Sequence, residues 1–316
     1  MSLIVAIRGD GSHAKRLKNI LLEKDKAIKF INLSRNIKSW PELKDVYNVA
    51  GVIITSPNDT HLEYVQASSR VFSDSLIYCE KPFINNTFSL SKARKLVVSE
   101  KLLLGLNLRN SEIEDILALW RDKYKLGEPI HFCVCVSYPF GLRDSYAKSW
   151  KSSKLASPTG VLENLAIHYI DFFNQLHRFK NILAIQSNYK QEVPRTVDII
   201  GTGANGISCN IHCSYAEGYC NTIKANFENG CIVFSDEKVE LFSPTLNIDA
   251  NTGLSIMPPM IDSLEIGLEQ IFKKSLYTSM SLFYDCIKDQ EYAFMKLEEQ
   301  RIQNLSYLDA IENILG

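Results

Sequence analysis

In the first hundred residues of this chain, short apolar runs alternate with stretches of helical period, and no other feature constrains its fold as strongly. The run over 3–7 ends in Arg8-Gly9-Asp10-Gly11, and helical periodicity follows over about 14–24. Further strands read at 28–33, 49–54, 76–79 and 102–106, with helices at about 61–71 and 88–99 between them. Alternation at this spacing predicts right-handed crossovers and a doubly wound parallel sheet. Ligands of such sheets bind just beyond the carboxyl ends of the strands. Two of those ends carry chemistry: one strand stops at Thr55-Ser56-Pro57-Asn58, the other at Glu80-Lys81-Pro82.

The pattern changes after about Arg109. A helix over 111–124 leads into a long strand over 131–138, and a loop holding Gly141, Pro158 and Gly160 precedes a helix over 161–176. Strands joined by Gly/Asn turns fill 182–242, then helical periodicity returns over 261–287 and 297–315. The reading is an α/β chain in two parts. Residues 1–110 form the parallel-sheet domain, and 111–316 form an α+β domain on a large, mostly antiparallel sheet, with the C-terminal helix able to pack back on the first domain.

Composition narrows the partners. A formal charge of −1 over 316 residues offers no basic surplus for a nucleic-acid backbone or an anionic membrane, so small molecules are expected. There is no apolar run of about 18 residues and no secretory-type leader, which gives a cytoplasmic expectation. The eight cysteines lack paired C-x-x-C spacing and read as buried thiols, with no metal site expected.

Gly9-x-Gly11-x-x-Ala14 lies between a strand and a helix, the context that a dinucleotide fingerprint requires. The first glycine permits a tight turn, the second lets backbone approach a pyrophosphate, and the helix N–H groups of Asp10, Gly11, Ser12 and His13 face the anion. An NAD site usually places an acidic residue at the tip of the second strand. Here the sequence is Asn32-Leu33-Ser34-Arg35. Ser34 and a guanidinium suit a 2′-phosphate, which favours NADP over NAD, with a solvated Arg35 as the alternative.

Three segments together resemble one family. They are Thr55-Ser56-Pro57-Asn58-x-x-His61, Cys79-Glu80-Lys81-Pro82 and Gly105-Leu106-Asn107-x-Arg109, and Thr159-Gly160-Val161-Leu162 with His168-x-x-Asp171 extends the match into the second half. In this combination and order the chain resembles the glucose–fructose oxidoreductase / inositol dehydrogenase / rhizopine-catabolism (Gfo/Idh/MocA) family. The resemblance implies a Rossmann domain followed by an α+β domain with an open antiparallel sheet, assembled as a homodimer or homotetramer. It also implies an NAD(P)-dependent dehydrogenase or reductase acting on a secondary alcohol or ketone of a sugar, inositol or sugar nucleotide. Lys81 would then hold the reacting oxygen and His168 its proton, while Glu80, Thr55, Ser56, Pro57, Asn58 and His61 would line the cofactor.

The departures are specific. Asn164 stands where the family commonly has aspartate, four residues before the histidine, and an amide there can orient a substrate or the ring but carries no charge. Glu163 does not substitute in a regular helix, where five residues correspond to about 140° of rotation. Arg109 points either toward a polar substrate or into a structural ion pair, and Trp150, beside Arg143 and Lys148, is expected to stack on a sugar face. Two alternatives follow: a catalytically impaired cofactor-binding or regulatory homologue, or a reductase of an imine or conjugated double bond on the same fold.

Overall fold

The computed structural model describes residues 3–187, 192–243 and 248–315. Its first sheet takes β1 (Ile4–Arg8), β2 (Lys29–Asn32), β3 (Val49–Ile54), β4 (Leu76–Glu80) and β5 (Leu102–Gly105). Helices α1 (Ser12–Lys24), α2 (Trp40–Val46), α3 (His61–Val71) and α4 (Leu90–Ser99) connect them. All pairings are parallel, in the order β2-β1-β3-β4-β5. Consecutive strands run to opposite sides of β1, so the topological switch lies between β1 and β3, and a crevice opens at their carboxyl ends.

Parallel strands are buried on both faces, which is why these runs are apolar throughout rather than alternating. One face packs Val52, Ile54, Ile77 and Leu104 against Trp40 and Val65. The other packs Val5, Ile7, Ile53 and Leu103 against Leu17 and Leu21 of α1.

The second sheet follows α5 (Ile113–Tyr124) and begins with β6 (Pro129–Ser137). After the short α6 (Asp144–Ala147) and α7 (Ile167–His177) come β7 (Phe179–Ser187), β8 (Thr196–Gly203), β9 (Ser208–Ser214), β10 (Cys220–Phe227), β11 (Gly230–Phe234), β12 (Val239–Phe242) and β13 (Met260–Leu264). The eight strands run in the order β13-β12-β11-β10-β6-β9-β8-β7, antiparallel except for the β6–β9 pair. The inner face packs Phe132, Ile211 and Ile223 on Phe172 and Phe173 of α7. The outer face leaves Leu183, Ile185 and Ile200 exposed.

The chain then returns to the first sheet. From α8 (Leu268–Lys288), Met280 and Phe283 join one of its cores, and from α9 (Gln290–Leu315), Tyr307, Leu308 and Ile311 join the other. No helix among the described residues is long and apolar enough to cross a membrane.

Two sequence expectations need correction. The helix expected over 261–287 yields its first residues to β13, whose register Val239↔Leu264 pairs the otherwise open edge of β12. The helix expected over 161–176 opens with a π-turn, Leu162–Ala166, in which the Ile167 amide donates to the Leu162 carbonyl five residues back. All eight cysteines are free thiols. Among the described residues no group of three or more His, Cys, Asp or Glu side chains could hold a metal ion.

Candidate active site

The carboxyl ends of β1, β3 and β4 converge with the π-turn on one crevice. At the end of β1, Gly9 takes φ +131°, and a Cβ there would lie 2.1 Å from Thr55 Oγ1. Only glycine lets the β1 turn press this close to β3, where Thr55 N donates to Arg8 O at 2.8 Å. Gly11, by contrast, is exposed, with nothing within 4 Å of where a Cβ would project. No side chain caps the N-terminus of α1. Its first amide groups, from Gly11 through Ser12 and His13, are therefore open to an anion. These features fit a dinucleotide pyrophosphate. Ser34 is spent locally, donating to Asn36 O at 2.9 Å, whereas Arg35 is exposed beyond β2 with no hydrogen bond or ion pair among the described residues.

The next layer is ionic. Glu80 closes β4, buried, accepting from His13 Nε2 at 2.7 Å and from Tyr78 Oη at 2.9 Å. A Cβ on Gly105 would lie 2.8 Å from Glu80 Oε1, so the neighbouring strand needs glycine to leave room for the carboxylate. Burial works to raise the Glu80 carboxyl, but His13, Lys81 and the Tyr78 hydrogen bond outweigh it and hold the group at about 2. His13 is thus more than a backbone donor: its ring, set by the first turn of α1, anchors the carboxylate.

Lys81 follows directly, half-buried, and its Nζ donates to the Asn164 carbonyl in the π-turn at 2.5 Å. Burial brings this lysine down to about 8, with Glu80 and Glu163 opposing and Lys151 reinforcing the fall. His168 lies within electrostatic reach of Lys81, and burial with that neighbouring charge depresses the ring to about 3. It is therefore neutral at working pH. Its Nδ1 is buried and has no hydrogen-bond partner among the described residues. Such buried atoms are few, and this one, on a ring within electrostatic reach of Lys81, is free to meet a ligand.

Several predicted residues turn out to hold the site rather than face it. His61 is buried, with Nδ1 2.7 Å from Pro82 O and Nε2 2.8 Å from Ser56 O. It clasps the loops after β3 and β4 together, which corrects the expectation of direct cofactor contact. Asn58 is buried too, and its Nδ2 donates to Glu163 Oε2 at 3.1 Å and to Asn164 Oδ1 at 3.3 Å. Its amide thus ties the loop after β3 to the π-turn. Ser56 is likewise buried, accepting from Thr60 Oγ1 at 2.7 Å.

Asn164 enters the site through its backbone. Its Nδ2 donates to Ser157 Oγ at 2.6 Å and Gly160 O at 2.8 Å, leaving the amide no hydrogen to orient substrate or ring. Glu163, one residue earlier, is buried, accepting from the Thr159 amide at 3.1 Å, and burial raises its carboxyl. The π-turn invalidates the regular-helix angle between Glu163 and His168. Nevertheless the carboxylate turns to Asn58 and Thr159, and His168 Nδ1 stays unpartnered. Sequence reasoning missed this bridge because helical periodicity does not distinguish a π-turn from an α-turn.

Arg109 takes the structural course. Its Nε and Nη2 form a bidentate pair with Asp171 at 2.8 and 2.7 Å, and Nη1 donates to Asn304 at 2.7 Å. With side chains 1% and 0% exposed, neither partner can meet a substrate, which corrects the substrate-binding expectation. Trp150 is exposed at the start of a short turn, Trp150–Ser152.

Residues 120–233 match the model of the GFO/IDH/MocA C-terminal domain. The whole chain superposes on solved structures of low sequence identity. A levoglucosan dehydrogenase in complex with NADH and levoglucosan gives a TM-score of 0.72 at 16% identity, over 98% of this chain and 97% of that one. An inositol dehydrogenase homologue from Azotobacter vinelandii, complexed with NAD+, gives 0.76 at 12%, over 100% and 95%. An oxidoreductase from Thermotoga maritima gives 0.76 at 16%, over 100% and 96%. No curated protein matches the sequence significantly.

Proposed function

We propose, for a chain that belongs to the Gfo/Idh/MocA family through its residues 120–233, an NAD(P)-dependent oxidoreductase of a secondary alcohol or ketone on a sugar-like or polyol substrate. The single observation that carries this reading is Lys81: an ammonium brought down to about 8, at the carboxyl end of a parallel strand, within electrostatic reach of His168, whose buried Nδ1 has no partner among the described residues. The nicotinamide, when bound, supplies or accepts the hydride. Gly9, Gly11 and the amides of Ser12 and His13 would hold the pyrophosphate, Thr55 and Pro57 would line the bridge, and Glu80 would lie beside the nicotinamide end. Arg35 supports NADP over NAD.

The division of labour at the reacting oxygen follows from protonation states. An acid or base works best with a pKa near the operating pH. Lys81, at about 8, meets that condition, and His168, at about 3, does not. Lys81 therefore donates the proton in ketone reduction or accepts it in alcohol oxidation, and its charge stabilises the developing alkoxide in a partly desolvated cleft. Neutral His168 contributes a hydrogen bond that positions the substrate oxygen. This reverses the proton role expected for His168 from family resemblance. Exposed Leu183, Ile185 and Ile200 support an oligomer, dimeric or tetrameric, formed through the open sheet face.

The test is direct. The full chain is titrated with NADPH and with NADH by nicotinamide fluorescence, then assayed for turnover with sugars, inositols and sugar nucleotides. Binding of at least one coenzyme is expected, NADPH the tighter. Failure of both to bind at millimolar concentration overturns the reading.

A further inference from the structure

One cation near the crevice has no place in the chemistry above. Lys151 lies in the turn Trp150–Ser152, its Nζ 5.2 Å from the centre of the Phe140 ring and 5.8 Å from that of Trp150. The Tyr146 hydroxyl donates to its carbonyl at 3.2 Å and fixes the turn. No hydrogen bond or ion pair among the described residues engages its ammonium, although burial lowers its pKa. The rings shield one side of that charge, and cation–π contact offsets only part of the lost hydration.

Lys151 is also within electrostatic reach of Lys81 and weakens its hold on a proton. Two ammonium groups therefore share a partly desolvated cleft. The carboxylates nearby are committed elsewhere: Glu80 to His13 and Tyr78, Glu163 to Asn58 and the Thr159 amide. Desolvated charge without a counter-ion is unfavourable, and like charges held together add to it. Either term is relieved by an anion brought in from outside, and an ammonium is a suitable point-charge receptor for phosphate or carboxylate. A cavity of about 160 Å³ opens on the residues that flank Lys151 in sequence, lined by Tyr146, Ala147 and Ser152 with Arg195 and Glu192, and Lys151 itself is not on its wall. Glu192 disfavours an anion in that cavity, so the receptor is the Lys151 ammonium itself, which lacks a counter-ion among the described residues.

We propose that Lys151 recognises an anionic group on the substrate, so that the substrate is a sugar or polyol bearing a carboxylate or a phosphate rather than a neutral polyol. The word substrate here rests on the oxidoreductase reading, but the anion site does not.

The experiment uses the full chain and calorimetric titration with three matched probes: D-glucose, D-glucuronate and D-glucose 6-phosphate, each at low and high salt. At least one anionic probe is expected to bind tenfold or more tightly than D-glucose, and more weakly as salt rises. The two anions separate a carboxylate from a phosphate preference. K151Q is expected to lose that tenfold advantage and K151R to retain it within threefold, while NADPH binding stays unchanged in both. The proposal is overturned if neither anion binds more tightly than D-glucose, or if K151Q binds the preferred anion as well as the parent chain does. Because coenzyme binding is read separately, anion selectivity without coenzyme binding would sink only the oxidoreductase reading, and the converse only this one.

Discussion

Two buried ionic clusters lie within a few turns of one another, and they are finished to different degrees. Each nitrogen of the Arg109 guanidinium has a counterpart: a bidentate carboxylate from Asp171, an amide oxygen from Asn304 and a backbone carbonyl from Gln303. Asn304 continues the chain of contacts by donating to Leu102 O at 3.1 Å, and so binds α9 to the first sheet. Around Lys81 the account is left open. Among the described residues His168 Nδ1 has no partner and Lys151 no counter-ion, and Lys81 spends one of its three donors on Asn164 O. A closed polar network rigidifies a fold, whereas an open one is expensive unless a ligand completes it. The difference separates an arginine held by the fold from a lysine left open to a ligand, although both follow short strands of the same sheet.

Breaking the closed cluster should have the largest effect. Arg109→Ala leaves Asp171 buried and unpaired, and denaturant unfolding should show a loss of about 3–5 kcal/mol. An unchanged midpoint would mean that the two clusters do not differ as argued. The matching change in the open cluster, Lys81→Met, should leave stability the same or higher, because a depressed lysine pKa is a charge held against its preference. Turnover should instead fall by about 10²–10³-fold, the usual effect of removing a group that stabilises transition-state charge. A mutant as unstable as Arg109→Ala would put Lys81 among the structural ions.

Acid unfolding sharpens the contrast further. His168 sits at about 3 in the folded protein against 6.5 when free, so between those values the unfolded chain holds a proton that the folded chain lacks. Stability must therefore fall as pH drops through that window, by up to about 1.4 kcal/mol per pH unit. His168→Gln should flatten the upper part of that decline. Glu80 contributes a loss of the same sign, from 4.5 down to about 2, which the variant retains. Identical slopes in parent and variant would show His168 to be solvated. The smallest effect belongs to the exposed end of the crevice, where Arg35→Ala should weaken NADPH by about tenfold, an energy of roughly 1.4 kcal/mol, and leave NADH unaffected.

Much of the architecture was legible in order. The parallel strands announced themselves as apolar runs without alternation, because a strand covered on both faces needs no polar side. Gly9 was readable because a Gly-x-Gly pattern between a strand and a helix marks a tight turn, and the structure adds the reason: no Cβ fits against Thr55. Lys81 was readable because it is carried by the strand end itself. His61, Asn58 and Asn164 share those motifs, yet their side chains point to Pro82 and Ser56, to Glu163, and to Ser157 and Gly160. Motif membership identifies a place in the crevice but not the direction of a side chain within it. Residues 261–264 were read as helix because apolar spacing over so few residues fits either period, and the open edge of β12 decided for a strand.

The sequence by itself determined the parallel sheet, the glycine turn at β1 and the presence of a lysine at the end of β4, since each follows from local pattern and backbone sterics. Only the tertiary structure decided that Arg109 is paired, that Asn164 serves through its carbonyl, and that His168 and Lys151 are left wanting. Those outcomes depend on burial and on partners 60 or more residues away, such as Asp171 for Arg109 (62 apart) and Asn164 for Lys81 (83 apart). The energy of a polar group is set by what surrounds it, and the surroundings are made only when the two sheets and the returning helices close on the crevice.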